Sequence, residues 1–274
     1  MKKISKINLL VFVFLLCFVF YPLIEMLLQV DWADFGKIIS SVSFKEALSN
    51  SLFVTSISTI FSIVLAYVLA FAIKRTSIKY RSFLQILITV PMLIPSISHG
   101  LGLINLFGSN GLISKVFSFN IIGPVGIIIG SVLYSFPVAF LMFCDGFNYV
   151  DNNLYNTAKV LGLSKWQTFK KVTFCYMKKP IISAIFAVFT MIFTDYGVPL
   201  AVGGKYLTLP VYLYKEVIGL LNFSSGSIIG LFLLIPAFIS FMFDYLSKDF
   251  SNGNYDKEQV IEENKKRDII LSIF

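Results

Sequence analysis

Four polar side chains stand in stretches whose neighbours are mostly apolar: Ser96, His99, Tyr134 and Asp195. Asp195 lies in Phe193-Thr194-Asp195-Tyr196-Gly197-Val198-Pro199, late in an apolar run. A carboxylate inside a bilayer marks a solute or ion pathway, unless its helix ends first and water reaches it. The sequence leaves both readings open: a pathway or gate residue, or a solvated acid at the outer surface. As a pathway residue it would favour a cation or an amine-bearing solute. His99 follows Pro95 and either shares the pathway or is a hydrogen-bonded packing residue. Ser96 and Tyr134, each close to a proline within an apolar run, complete the candidate set.

No catalytic machinery accompanies them. Gly203-Gly204-Lys205 is followed by Tyr206, and Pro199 stands where a P-loop needs its first glycine. Gly-x-Ser-x-Gly, His-Glu-x-x-His and close His/Cys/carboxylate clusters are absent. Cys17, Cys144 and Cys175 form no close pair, so neither a disulfide framework nor a metal site is expected. Glu25, Asp145 and Asp244 fall near the ends of apolar runs, where water solvates them. No enzyme, metal or cofactor is therefore predicted.

The elements that must position these residues are membrane helices. Of 274 residues, 57% are hydrophobic and 14% charged, with mean hydropathy +0.81. A soluble domain averages roughly a quarter charged residues, so this chain cannot hide its apolar surface inside itself. About 20 apolar residues cross a bilayer. Six runs qualify: 8–28, 48–73, 82–107, 124–147, 180–198 and 226–246. The first is too long for a signal-peptide core and lacks an Ala-x-Ala cleavage site. The third contains Pro91 and Pro95, whose freed carbonyls must meet protein or a watery cavity. Ser51, Thr55, Ser58 and Ser62 make a stripe in the second that suits helix packing. With this division 18 of the 23 lysines and arginines fall on one side and five on the other, placing both termini in the cytoplasm. The basic charge thus reports orientation, and nucleic-acid binding is not expected.

One stretch between the spans is polar, 148–180, with six lysines and one acid. Asp151 suits an N-cap, and Leu154, Ala158 and Leu161 share a helix face. Gly162 is a natural stop. Ser164 and Gln167 form a capping-box pattern before a second helix with Trp166, Phe169 and Val172 on its apolar face. Two apolar faces outside the bilayer need a cover. The lipid interface and the chain's own spans are one answer; a groove on a cytosolic partner is the other.

This stretch resembles the EAA loop of permease subunits of binding-protein-dependent ABC importers. That pattern is Glu-Ala-Ala, three residues, Gly, nine residues, then Ile-x-Leu-Pro. Asn156, Thr157 and Ala158 take its first three places, Gly162 its glycine, and Val172 and Phe174 its Ile and Leu. The family's glutamate is Asn156 here and its proline is Cys175. Residues 194–246 are similar to the iron(III), thiamine, polyamine and 2-aminoethylphosphonate branch, phosphonate members most of all.

The resemblance implies an all-α fold of six transmembrane helices in a type I importer arrangement, with residues 1–246 as the transmembrane domain. It implies cytosolic ATPase subunits docking on 148–180, a second permease half or subunit, an extracytoplasmic solute-binding protein, and a place in the bacterial inner membrane. Many members of the branch carry two six-span halves in one polypeptide. The charged tail 247–274 ends Lys265-Lys266-Arg267 and then an apolar run, which is either a frayed tail or the start of a second half. The competing function is an ion-coupled secondary transporter or channel, which would need a midplane ionisable group or internal repeats.

Overall fold

The structure, a computed structural model, describes residues 6–109, 111–113, 121–148, 150 and 152–246. Every regular element among them is helical. The Asp151 cap and the tail 247–274 lie outside the described residues.

Helix α1 starts as Lys6–Leu15, passes a π turn at Leu16–Phe20 and continues as Tyr21–Leu28. Its span, Leu10–Leu28, buries none of its residues. It is anchored at its far end, where the Asp31 N–H donates to Ser224 Oγ at 3.0 Å. Helix α2, Trp32–Ser40, begins where Asp31 accepts from Ala33 N at 2.9 Å. Helix α3, Val42–Arg75, is capped by Ser41. Its stripe Ser51, Thr55, Ser58 and Ser62 is buried as expected, and Ser62 Oγ meets Ser135 Oγ at 2.9 Å.

Helices α4, Arg81–Leu93, and α5, Ser96–Phe107, follow with a 96° bend between them. The third run, read as one span with two prolines inside it, is therefore sharply bent at them. The cause is local: proline disfavours the α conformation of the residue before it. Ile94 is accordingly extended, at φ −90° and ψ 133°.

Helix α6 is Pro124–Asn148 and α7 is Asn152–Val160. Helix α8 runs from Lys165 to Phe193, through a π turn at Phe169–Thr173. The sequence reading began the fifth span at Pro180. The structure instead makes the second helix of the basic loop the first turns of that span. Pro180 sits in the helix interior with its ring against α6; a Cβ on Gly146 would lie 2.9 Å from Pro180 Cγ. Neighbouring helices make interior proline tolerable in membrane helices.

Helix α9 is Gly197–Val202, α10 is Leu209–Tyr214 and α11 is Phe223–Leu246. The segments read as outer loops thus carry α2, α9 and α10. Val198, Val202 and Leu209 are fully buried, and Leu209 N donates to Ser51 Oγ at 2.7 Å. These pieces are too short to span but apolar enough to pack back onto the bundle. Among the described residues five helices are long and apolar enough to cross a membrane, and the bent α4–α5 pair, counted as one span, makes six. The core is the junction of α3, α6 and α8, around Ala66, Ala70, Phe140, Phe143, Met177 and Val188.

Candidate functional site

The turn between α7 and α8 follows from three local signals. Gly162 adopts φ +69°. Its N–H donates to Lys159 O at 3.1 Å and the Leu163 N–H to Ala158 O at 3.0 Å. This is the Schellman pattern, which satisfies the last carbonyls of a helix through a left-handed glycine. One residue on, Ser164 N donates to Gln167 Oε1 at 2.9 Å and Gln167 N to Ser164 Oγ at 3.3 Å. The capping box is complete.

The faces are sorted differently from the sequence reading. Val150, Ala158 and Val172 form a buried cluster, with Leu154, Tyr155 and Leu163 packed against it. Leu161 was placed on that face, but it is 70% exposed, with Val160 at 87%. The turn directs the chain so that Leu163 takes the inner place instead. Val172 was grouped with Trp166 and Phe169. It faces inward, while Trp166 is 71% exposed and stacks on Phe169 with centroids 5.7 Å apart. Asn156, Thr157 and Phe174 are exposed. The loop therefore has an anchored inner face and an outer one bearing Val160, Leu161 and Trp166. Sequence reasoning passed over Tyr155, whose hydroxyl meets Thr173 Oγ1 at 2.8 Å and ties α7 to α8. A tyrosine seven residues before the glycine gave no pattern to mark it.

The four polar candidates gather at the break in the third span. Helix α8 ends at Phe193 and Asp195 is half-buried. Its carboxylate accepts from Gly197 N at 3.3 Å and Val198 N at 3.0 Å, and hydrogen-bonds Ser96. It therefore caps the start of α9. Tyr134 OH donates to Met191 O at 2.9 Å, filling one of the carbonyls that a helix end leaves without a partner. His99 Nε2 pairs with Pro91 O at 3.1 Å, across the proline break. Its ring lies 6.3 Å from that of Tyr134. The helix does end near Thr194, as one sequence reading held, but Asp195 is engaged by the fold beneath it.

A prediction follows for Asp195. Replacing a capping residue by alanine costs about 0.5–2 kcal/mol, and here Ser96 loses its partner too. Asp195→Ala should melt several degrees lower in detergent. Asp195→Asn retains an acceptor oxygen and should stay close to the unaltered chain. Equal melting of both variants, well below the parent, would show that the charge rather than the cap holds this site.

Residues 62–252 match the family described as "Binding-protein-dependent transport system inner membrane component". The chain is similar to the putative ferric transport system permease protein FbpB 1 of Haemophilus influenzae, 25% identical over 221 residues, covering 77% of this chain and 35% of that protein. It is also similar to the molybdate/tungstate transport system permease protein WtpB of Methanocaldococcus jannaschii, at 26% over 237 residues, 85% of this chain and 92% of that one. The chain spans about a third of the length of the ferric relatives. Its fold matches a solved bacterial ABC transporter involved in import of the acidic polysaccharide alginate. The TM-score is 0.69 at 15% identity, over 90% of this chain and 95% of the other. With well over half of its length inside the family match, the chain belongs to the binding-protein-dependent transport system inner membrane components.

Proposed function

We propose that this chain forms the solute path of an ABC importer and that separate cytosolic ATPase subunits drive it by docking on 148–180. The observation that carries this reading is the two-faced turn at Gly162. Its inner face is fixed on α8 by Val172 and by the Tyr155–Thr173 bond. Its outer face offers Val160, Leu161 and Trp166 to a groove. Apolar anchors on short helices are how such grooves are filled. A second permease half or subunit completes the path, and an extracytoplasmic binding protein delivers the solute. Residues 1–246 are the transmembrane domain in this reading and 247–274 a cytosolic tail or the start of a second half. Both ends of the domain lie in the cytoplasm of a bacterial inner membrane. Ser96, His99, Tyr134 and Asp195 line or brace the path at the broken span. The solute is a small one, with 2-aminoethylphosphonate, iron(III), thiamine and polyamines as the first candidates. Asp195 already serves as a cap, which favours ATP-driven movement over ion coupling through that carboxylate.

The test is uptake of labelled 2-aminoethylphosphonate, ferric iron, thiamine and spermidine into vesicles holding the chain, its ATPase and its binding protein. One of them should accumulate only when all three proteins and ATP are present. The purified chain alone should hydrolyse no ATP. Accumulation by the chain alone under a proton gradient would overturn the reading in favour of a secondary transporter.

A further inference from the structure

Arg75 is the last residue of α3 and entered the sequence reading only through the charge bias between the two sides. It is in fact buried, at 8% exposure. A charge in so apolar a surrounding requires compensation. Its Nη2 donates to Phe147 O at 3.2 Å, in the last turn of α6, where carbonyls lack helical partners and a cation is favoured. Its guanidinium also lies over two rings, 4.7 Å from the Tyr155 centroid and 5.7 Å from that of Phe147. Arginine can stack and donate at once because its charged group is planar; lysine cannot.

The contact continues in both directions. Toward the cytosolic turn, Tyr155 belongs to α7 and bonds Thr173 at 2.8 Å. Toward the bundle, Phe71 and Tyr67 precede Arg75 by four and eight residues, which puts all three on one face of α3. Tyr67 packs 5.5 Å from Phe143 and 5.6 Å from Phe147, and Phe71 packs 6.1 Å from Phe147. An unbroken run of rings and one guanidinium thus joins the docking helix to the interior of α3 and α6.

We infer that Arg75 is a positioning residue: its stack on Tyr155 passes movement of the docking loop into the second and fourth spans. This rests on the docking role proposed above. It adds that the loop can hold the ATPase and yet fail to move the spans when the stack is gone. Attachment and transmission would then be separable by mutation.

The experiment uses the complex of chain and ATPase, with Thr194→Cys as a reporter in a background lacking Cys17, Cys144 and Cys175. Thr194 is exposed at the far end of α8. The rate of labelling by a membrane-impermeant maleimide is compared without nucleotide and after trapping with ATP and vanadate. Arg75→Lys and Tyr155→Leu should still co-purify with the ATPase, because Val160, Leu161 and Trp166 are untouched. In both, the nucleotide-dependent change in labelling should shrink by about tenfold, within the range by which mutations along such networks alter coupling. Tyr155→Phe keeps the ring and should retain the change to within about twofold.

Undiminished response in Arg75→Lys and Tyr155→Leu would overturn the inference. Equal damage in Tyr155→Phe and Tyr155→Leu would also overturn it, by moving the role to the Thr173 bond. So would loss of the ATPase from both variants, which would make the stack part of docking itself. If Arg75→Lys does not insert, Tyr155→Leu decides alone, since it leaves the charge in place. A missing nucleotide response in the unaltered chain would instead count against the docking reading of the loop.

Discussion

Gly162→Val should yield a chain that inserts in the membrane but retains no ATPase and supports no uptake. Gly162 has φ +69°, and a Cβ there would meet nothing within 4 Å. The penalty is therefore backbone conformation alone. For an ordinary L-residue the left-handed region costs roughly 1–2 kcal/mol, and a β-branched side chain fits it worst. The chain can relieve that strain by opening the turn. It then gives up the Gly162–Lys159 and Leu163–Ala158 hydrogen bonds and withdraws Leu163 from the Ala158–Val172 cluster. Val160 and Leu161 stand before the turn and Trp166 after it, so the outer face comes apart. Gly162→Asn tolerates the conformation and should transport. Lys170→Ala should change little, since exposed ion pairs contribute about 0–1 kcal/mol. Co-purification and uptake of all three variants check this. Transport by Gly162→Val at the parental rate would sink the docking role.

Gly130→Leu should prevent the folded protein from accumulating at all. Helix α9 is held between α5 and α6 at contacts that leave no room for a side chain. A Cβ on Gly130 would lie 2.7 Å from Val198 Cγ1, and one on Gly100 would lie 2.6 Å from Ala201 Cβ. Val198 is fully buried, and its methyl groups branch at Cβ, so they cannot swing aside as a long side chain can. Overpacking of this kind typically costs 1–3 kcal/mol and sometimes more, and a leucine carries three heavy atoms beyond Cβ. The segment that must shift also carries the Asp195 cap and the Gly197 turn against Ser96. Gly102 is the control. It lies two residues from Gly100 on α5, yet a Cβ there meets nothing within 4 Å, so Gly102→Ala should be harmless. Size-exclusion profiles in detergent measure the outcome. A monodisperse Gly130→Leu peak at the parental yield would mean that α9 is not clamped.

What could be read from the sequence was whatever neighbouring residues decide among themselves. Gly162 as a helix stop and the Ser164–Gln167 box need no tertiary context, and both are present. The serine and threonine stripe on α3 was legible because a four-residue interval means one face. Leu161 was misplaced because periodicity was extended past the point where the chain leaves the helix. Pro180 was taken for a boundary because a proline's local cost is visible in sequence and the Gly146 seat that accommodates it is not. Helices α9 and α10 were hidden for a related reason: their burial depends on Ser51 and Gly130, many residues away. The four polar candidates were found one by one as polar residues in apolar runs. Only the fold shows that Asp195 and Ser96 are bonded and that Tyr134 closes the end of α8.

The continuity of α8 has a mechanical meaning. The helix begins at the turn beside Trp166 and ends two residues before Asp195. Pro180, seated on Gly146, lies near its middle. At 1.5 Å per residue the arms on either side of Pro180 are about 22 Å and about 20 Å long. A rod pivoting at that seat is a balanced lever. A tilt of about 10° would carry each end about 4 Å, in opposite directions. Under the proposed function, a pull on the arm beside the docking turn that opens the inner mouth would close the outer one in the same stroke, with no separate gate required to keep the two from standing open together.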